Sequence, residues 1–310
     1  MADVNGDDEL DIALACINAE NLLLLKDSTG GYTTQLLPGG PSPSTSISVV
    51  DIDVDGDMDI VVTNLYLAGN QILFNDGNLN FNTAITEFAA NSFSQAVGDL
   101  NGDGLPDIVF GLTGFPTIIV FNDGADFTSF TNTTLLLDTI ETPPLSFLLM
   151  DINDDGHLDV VQGESTSSDR IFFNDGNGNF DSDPVLLPDS DLETQSMVVG
   201  DFDDDGDLDI AIGIYDGANK LLLNDGTGTF ISTDLPGGVT KTTSIALGDV
   251  DGDGLLDIVV GNDGQANTLL LNTGTPGQLF SATELPGGSL STWSIALVSV
   301  SYCVHVQINC

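Results

Sequence analysis

Asp51-Ile52-Asp53-Val54-Asp55-Gly56-Asp57-Met58-Asp59 reads D-x-[DN]-x-D-G-x-x-D, with acids at positions 1, 3, 5 and 9 of a nine-residue window. The pattern starts again at Asp99, Asp151, Asp201 and Asp249. A looser copy starts at Asp3, with Asp8 in the glycine position. The starts are 48, 48, 52, 50 and 48 residues apart. Internal periods of about 20 to 50 residues mark propellers and solenoids, in which each unit buries its apolar face against the next.

The flanks decide between them. In the last repeat an apolar run, Thr243 to Gly248, precedes the window and Ile258-Val259-Val260-Gly261 follows it. A polar turn, Asn262 to Ala266, leads to Thr268-Leu269-Leu270-Leu271, and a second turn leads to a run around Phe280 to Glu284. The other repeats keep this order, with second runs such as Ile60-Val61-Val62 and third runs such as Ile72-Leu73-Phe74. The runs are short, rich in β-branched and aromatic residues, and punctuated by glycine and proline, as strands are. Asn75-Asp76-Gly77 and its copies at Asn122, Asn174 and Asn224 read as hairpin turns, in which Asn/Asp-Gly pairs supply positive φ. No stretch sustains a helical period. Four strands in about 49 residues make one propeller blade. The expected fold is all-β, a β-propeller of four-stranded blades with six blades evident.

Ser294-Ile295-Ala296-Leu297 matches Ser244-Ile245-Ala246-Leu247, but no acidic window follows it, and the first repeat has no run before its window. This predicts that residues 291–297 close the first blade, giving one domain over 1–297 and a divergent tail over 298–310. The rival reading is a fragment of a larger propeller.

Acids outnumber bases 48 to 4, for a net charge of −44. Nucleic acid and anionic membranes are therefore poor partners, since both are bound through clustered Lys and Arg. No apolar run approaches the roughly 18 residues of a membrane-spanning helix, so membrane insertion is not expected. The six windows hold 27 of the 48 acids, which places most of the charge where a divalent cation can neutralise it. Three cysteines, Cys16, Cys303 and Cys310, share no repeat spacing and predict no disulfide framework; Cys16 reads as a lone buried thiol. No secretory signal is visible, but the chain begins inside a repeat, so that absence says little about a leader.

A hard cation fits the windows. Ca²⁺ takes 6 to 8 oxygen ligands. Acids at positions 1, 3, 5 and 9 wrap oxygens around one point, and glycine at position 6 permits the sharp turn. Position 7 varies from acid to leucine (Glu9, Asp57, Leu105, His157, Asp207, Leu255), so it is expected to offer its backbone carbonyl. Position 2 is always apolar and is expected to anchor the window in the blade. An EF-hand needs Glu at position 12 between helices, whereas position 12 here is mostly apolar and strands flank the window. Zinc would need Cys and His at ligand spacing. Mg²⁺ prefers waters and strict octahedral geometry.

These repeats resemble FG-GAP (VCBS-like) repeats, the blades of the integrin α-subunit head and of many secreted proteins. The resemblance covers residues 2 to 297. It implies five to six Ca²⁺ ions. Their ligands would be Asp51, Asp53, Asp55, Asp57 and Asp59; Asp99, Asn101, Asp103, Leu105 and Asp107; Asp151, Asn153, Asp155, His157 and Asp159; Asp201, Asp203, Asp205, Asp207 and Asp209; and Asp249, Asp251, Asp253, Leu255 and Asp257. The first window offers Asp3, Asn5, Asp7, Glu9 and Asp11. The family is commonly seven-bladed, so the alternative to six closed blades is a fragment of a seven-bladed propeller.

The resemblance implies an extracellular or cell-surface module for recognition or adhesion, with a protein or carbohydrate ligand at the cell surface or matrix. A substrate-binding propeller of a secreted polysaccharide-active enzyme and a surface-assembly subunit are the alternatives. No catalytic residues are expected: His157 lies in a window, His305 lies in the tail, and no G-x-S-x-G elbow occurs. Turns where the repeats disagree are the expected ligand surface: Tyr66, Phe115-Pro116, Glu164 to Arg170, and Tyr215-Asp216. Arg170 there is expected to pair with Asp169 or another nearby carboxylate.

Overall fold

The computed structural model describes the chain except residues 66–68, 86–90, 125–132, 136–142, 182, 289–290 and 296–310. Tyr66, Cys303, His305, Cys310 and the end of the expected closing strand therefore lie outside the described residues. The chain divides into two compact units, Met1–Pro144 with Asn174–Ser182, and Leu145–Phe173 with the residues from Asp183 onward.

In the first unit, the first repeat supplies β1 (Ile12–Leu14), β2 (Ile17–Ala19), β3 (Leu22–Lys26) and β4 (Tyr32–Leu36). β1, β3 and β4 form a three-stranded antiparallel sheet. β2 leaves it and pairs with β5 (Ser42–Val50), extending the next sheet through β6 (Asp59–Asn64), β7 (Gln71–Asn75) and β8 (Phe81–Ile85). β9 (Ser92–Gly98), β10 (Asp107–Leu112), β11 (Ile118–Val120) and β12 (Thr133–Leu135) make a four-stranded sheet.

β13 (Pro144–Met150), β14 (Asp159–Glu164), β15 (Arg170–Phe172) and β16 (Val185–Leu186) form the fourth sheet. The last is six-stranded: β17 (Glu193–Gly200), β18 (Asp209–Asn224), β19 (Phe230–Gly248), β20 (Asp257–Asn262), β21 (Thr268–Asn272) and β22 (Phe280–Glu284). The described sheets are thus five, of three to six strands, where six four-stranded blades were expected. The reason lies in the 215–241 region. Tyr215 pairs with Lys241, Gly217 with Thr240 and Ala218 with Val239, so pairing runs on through the turn. The outer strand of the fifth repeat and the inner strand of the sixth become the single strand β19.

The strand after each window is the buried one. β6, β10, β14 and β20 are buried at every residue, which is why the residues after each opening Asp are consecutively apolar and do not alternate. Apolar clusters join consecutive repeats. Ile52 and Val61 pack with Ile108 and Phe110 in the first unit, and Ile152 and Val161 pack with Ile210 and Ile212 in the second. Position 2 of the windows belongs to these clusters (Val4, Ile52, Ile152, Phe202), as its apolar character predicted. Removing such a side chain costs about 2 to 5 kcal/mol.

Glycines mark where the next repeat passes closest. A Cβ at Gly213 would stand 2.8 Å from Thr242, one at Gly163 2.8 Å from Thr194, and one at Gly261 2.8 Å from Ile295 and 3.0 Å from Thr292. Residues 292–295 thus lie on the sixth repeat as residues 242–245 lie on the fifth.

Candidate metal-binding loops

Each window is a loop wound around its own carboxylates. The acid at position 9 opens the buried strand, and all six (Asp11, Asp59, Asp107, Asp159, Asp209, Asp257) are fully buried. In each loop its Oδ2 accepts the position-2 N–H, for example Ile52 at 3.0 Å and Phe202 at 2.9 Å. In five loops Oδ1 accepts the N–H of the residue at or just past the end of the third strand: Lys26, Asn75, Asn122, Asn224 and Asn272. One side chain therefore ties the loop to two strands. Position 1 accepts backbone N–H groups from positions 5 and 6 in the second loop, Asp55 at 3.1 Å and Gly56 at 3.0 Å to Asp51. Position 5 accepts the position-7 N–H in all six loops.

Wound this way, the acids converge. Asp51, Asp53 and Asp59 bring carboxylate oxygens within 4.8 Å of one another, and so do Asp201, Asp203 and Asp209, and Asp249, Asp251 and Asp257. Burial pushes the carboxyls of Asp59, Asp107 and Asp209 up to about 6, despite their backbone hydrogen bonds, and neighbouring acids add to the shift. Asp11 and Asp257 are raised for the same first reason. Carboxylates gathered under partial burial without a counter-charge call for a cation. The donors are all hard oxygens, so the residues fit Ca²⁺.

The loops divide by position 3. In three of them the residue is Asn, whose amide donates to the position-5 carboxylate: Asn5 to Asp7 at 3.1 Å, Asn101 to Asp103 at 3.0 Å and Asn153 to Asp155 at 3.0 Å. In the other three it is Asp. Burial first, then the adjacent acids, raises Asp53 and Asp203.

Position 7 faces away from the cluster. A Cβ added to the hairpin glycine would meet its side chain: 2.6 Å from Asp57 at Gly77, 2.7 Å from Asp207 at Gly226, 3.3 Å from Leu105 at Gly124 and 3.2 Å from Leu255 at Gly274. This leaves the position-7 backbone, not its side chain, to the loop. His157 is exposed at this position.

A scan against family models finds FG-GAP-like repeats at residues 3–62, 55–110, 151–212, 201–260 and 249–299. The chain belongs to the FG-GAP-like repeat family. Its fold is accordingly an all-β β-propeller. Two solved structures of BBS1N in complex with ARL6DN share this fold. The lead-soaked one is 14% identical with a TM-score of 0.60, covering 94% of this chain and 82% of that one. The mercury-soaked one is 13% identical with a TM-score of 0.62, covering 94% and 83%. No curated protein matches the chain.

Several features of these FG-GAP-like loops escaped the sequence. Position 4 is left-handed in all six: Gly6, Gly102 and Gly252 in three, but Val54, Asp154 and Asp204, with φ of 59°, 55° and 62°, in the others. Asp8 adopts φ 68° at position 6, as the missing glycine required. The turn at Asn75 takes positive φ at Gly77, as expected, but also at Leu79, and it is long: Asn75 pairs with Phe81, leaving five residues between. The asparagine has another task. Its Nδ2 donates to the position-2 carbonyl of the preceding repeat: Asn75 to Val4, Asn122 to Ile52, Asn174 to Leu100, Asn224 to Ile152 and Asn272 to Phe202. Five identical asparagines at one station were the signal, read as turn chemistry alone.

Two expectations need correction. Cys16 is not a free thiol but disulfide-bonded. The Glu164 to Arg170 turn is not an open ligand surface at its ends, since Glu164 and Asp169 are fully buried. Asp169 accepts the Glu164 N–H at 2.8 Å and the Thr194 hydroxyl at 2.9 Å. Gln162 donates to Glu164 at 2.6 Å, and Arg170 Nε stands 3.9 Å from Glu164. Burial pushes the Asp169 carboxyl up to about 8. Elsewhere the same station is an asparagine: Asn70 caps Asn64 and donates to Ser92, and Asn267 caps Asn262 and donates to Thr292. By contrast Phe115 is exposed, and the Tyr215 hydroxyl donates to Asp263 beneath Lys241.

Proposed function

We propose that this FG-GAP-like propeller is a non-catalytic recognition module whose acidic loops bind Ca²⁺, five to six ions in all. The observation that carries the reading is the convergence of carboxylate oxygens within 4.8 Å in three loops. The ligands are those named above at positions 1, 3, 5 and 9, with the position-7 carbonyl. Six repeats make six blades on this reading, with 291–297 as the closing strand; the lie of Thr292 and Ile295 against Gly261 supports it. The bound cation would neutralise carboxylates that otherwise repel, and so hold together the two strands that each loop joins.

The partner is a protein that docks on the turns at the strand ends away from the metal loops. The likeness to a propeller solved in complex with ARL6DN supports a protein partner. The protein works outside the cell, at the surface or in the matrix. A disulfide at Cys16 supports an oxidising compartment, and the −44 charge supports a medium rich in screening cations.

Thermal melting with calcium and with excess EDTA tests the metal reading. Each site adds about 2.7 kcal/mol at a hundredfold excess over its Kd. The melting temperature is expected to fall by at least ten degrees or so on chelation, since several such terms are lost together. An unchanged melt would overturn the reading.

A further inference from the structure

We propose that Lys26 is the tethered cation of the first acidic loop, so that this repeat stays closed without the divalent ion that the others need. The inference rests on the calcium reading above and concerns how the repeats differ in it.

The chain has four bases. Arg170 lies beside Glu164, Lys220 pairs with Asp234 at 2.6 Å, and Lys241 stands over the Tyr215 ring. None of these partners belongs to an acidic loop. Among the pairings seen in the described residues, that of Lys26 is with a loop residue, its Nζ 2.6 Å from Glu9 Oε2. Its place in the fold is not incidental. The Lys26 N–H donates to Asp11 Oδ1, as the Asn75 N–H does to Asp59 and the Asn122 N–H to Asp107. Lys26 therefore occupies the asparagine station. There the other five repeats send an amide to the preceding loop, whereas the first repeat turns an ammonium onto its own loop. The same loop has a second internal donor, since the Asn5 amide reaches Asp7. Glu9 stands at position 7, so Lys26 cancels one of this loop's five acids from the outer side, while Asp3 is held by the N–H groups of Gly6, Asp7 and Asp8. The first loop thus combines a built-in ammonium with an asparagine at position 3, and among the described residues no other loop has both.

Amide hydrogen exchange on the full chain, with calcium and with excess EDTA, reads this directly. Val4 and Ile52 report on the first and second loops, because each donates to its own position-9 acid. Chelation is expected to speed exchange at Ile52 and Phe202 by about tenfold or more, and at Val4 by less than about threefold. Lys26→Met is expected to make Val4 respond to EDTA as Ile52 does, and Lys26→Arg to restore its independence. Equal loss of protection at Val4 and Ile52 in the unaltered protein would overturn the role of Lys26 while leaving calcium in place, as would a Lys26→Met protein with Val4 unchanged. If no loop amide responds to EDTA, the calcium reading itself falls, and the contrast drawn from it falls too.

Discussion

The loop Asp51–Asp59 and the turn Glu164–Arg170 both crowd carboxylates together, and they resolve the crowding in opposite ways. In the loop only Asp59 is sealed, while Asp53 and Asp55 stay exposed, so the cluster remains open to an ion from solvent. In the turn Glu164 and Asp169 are both sealed, with Arg170 beside Glu164. No solvent ion is needed there, because Asp169 keeps its proton: desolvation holds its carboxyl up to about 8. The open cluster has the shape to take a cation, and the sealed Asp169 holds a proton. Exposure of the mouth, not the number of acids, decides between them.

The largest effect should come from breaking the loop at its sealed acid. Asp59→Ala strands the N–H groups of Ile52 and Asn75, and should destabilise by about 3 kcal/mol or more, seen as a lower urea midpoint with calcium present. An equal loss from Asp53→Ala would erase the distinction between sealed and open acids.

The turn should respond in the other direction. Asp169→Asn supplies the amide that Asn70 and Asn267 carry at this station, and should stabilise by about 1 to 2 kcal/mol at neutral pH. The pH dependence has a definite sign. Because the folded carboxyl lies near 8, above its ordinary value of 3.8, the folded chain holds the proton that the unfolded chain releases. Its contribution is therefore fully present at low pH and is lost as pH rises through about 8. Asp169→Asn should flatten the fall in stability between about pH 4 and 8 in chemical denaturation. An unaltered slope would place the proton elsewhere.

Smaller effects sharpen the contrast among the loops. Asp53→Asn converts the second loop to the type at Asn101, where an amide bridges to position 5. It should weaken calcium binding at that site by roughly tenfold, read by calorimetry, while easing repulsion in the metal-free state. The reverse change, Asn101→Asp, should do the opposite. The smallest effect is at Val54, a β-branched residue at φ 59°. Val54→Gly should stabilise by about 1 kcal/mol, measurable in the melting temperature.

Much of this was legible in the residues. The period identified repeats, Asp51 to Asp59 identified oxygen-rich loops, and apolar residues such as Ile52 were already placed in the core. These are local properties, set by side-chain type and spacing within one window. The asparagine station was half legible: Asn75 and its copies were visible, but the Val4 carbonyl that Asn75 reaches belongs to another repeat. The left-handed backbone at Val54 was hidden, because position 4 tolerates residues whose side chains point to solvent.

Sequence by itself determined that this chain is a β-propeller of acidic-loop repeats, because a pattern repeated in register has one economical way to bury its apolar strands. Tertiary structure alone decided which acids are open and which are sealed. Glu164 and Asp169 look in sequence like the exposed acids of the loops. They are buried because Thr194 and Ser190, two dozen residues on, fold over them, as the contacts at 2.9 Å to Asp169 show. Lys26 likewise gains its meaning from distance in space: it lies 17 residues from Glu9 along the chain and 2.6 Å from it in the fold.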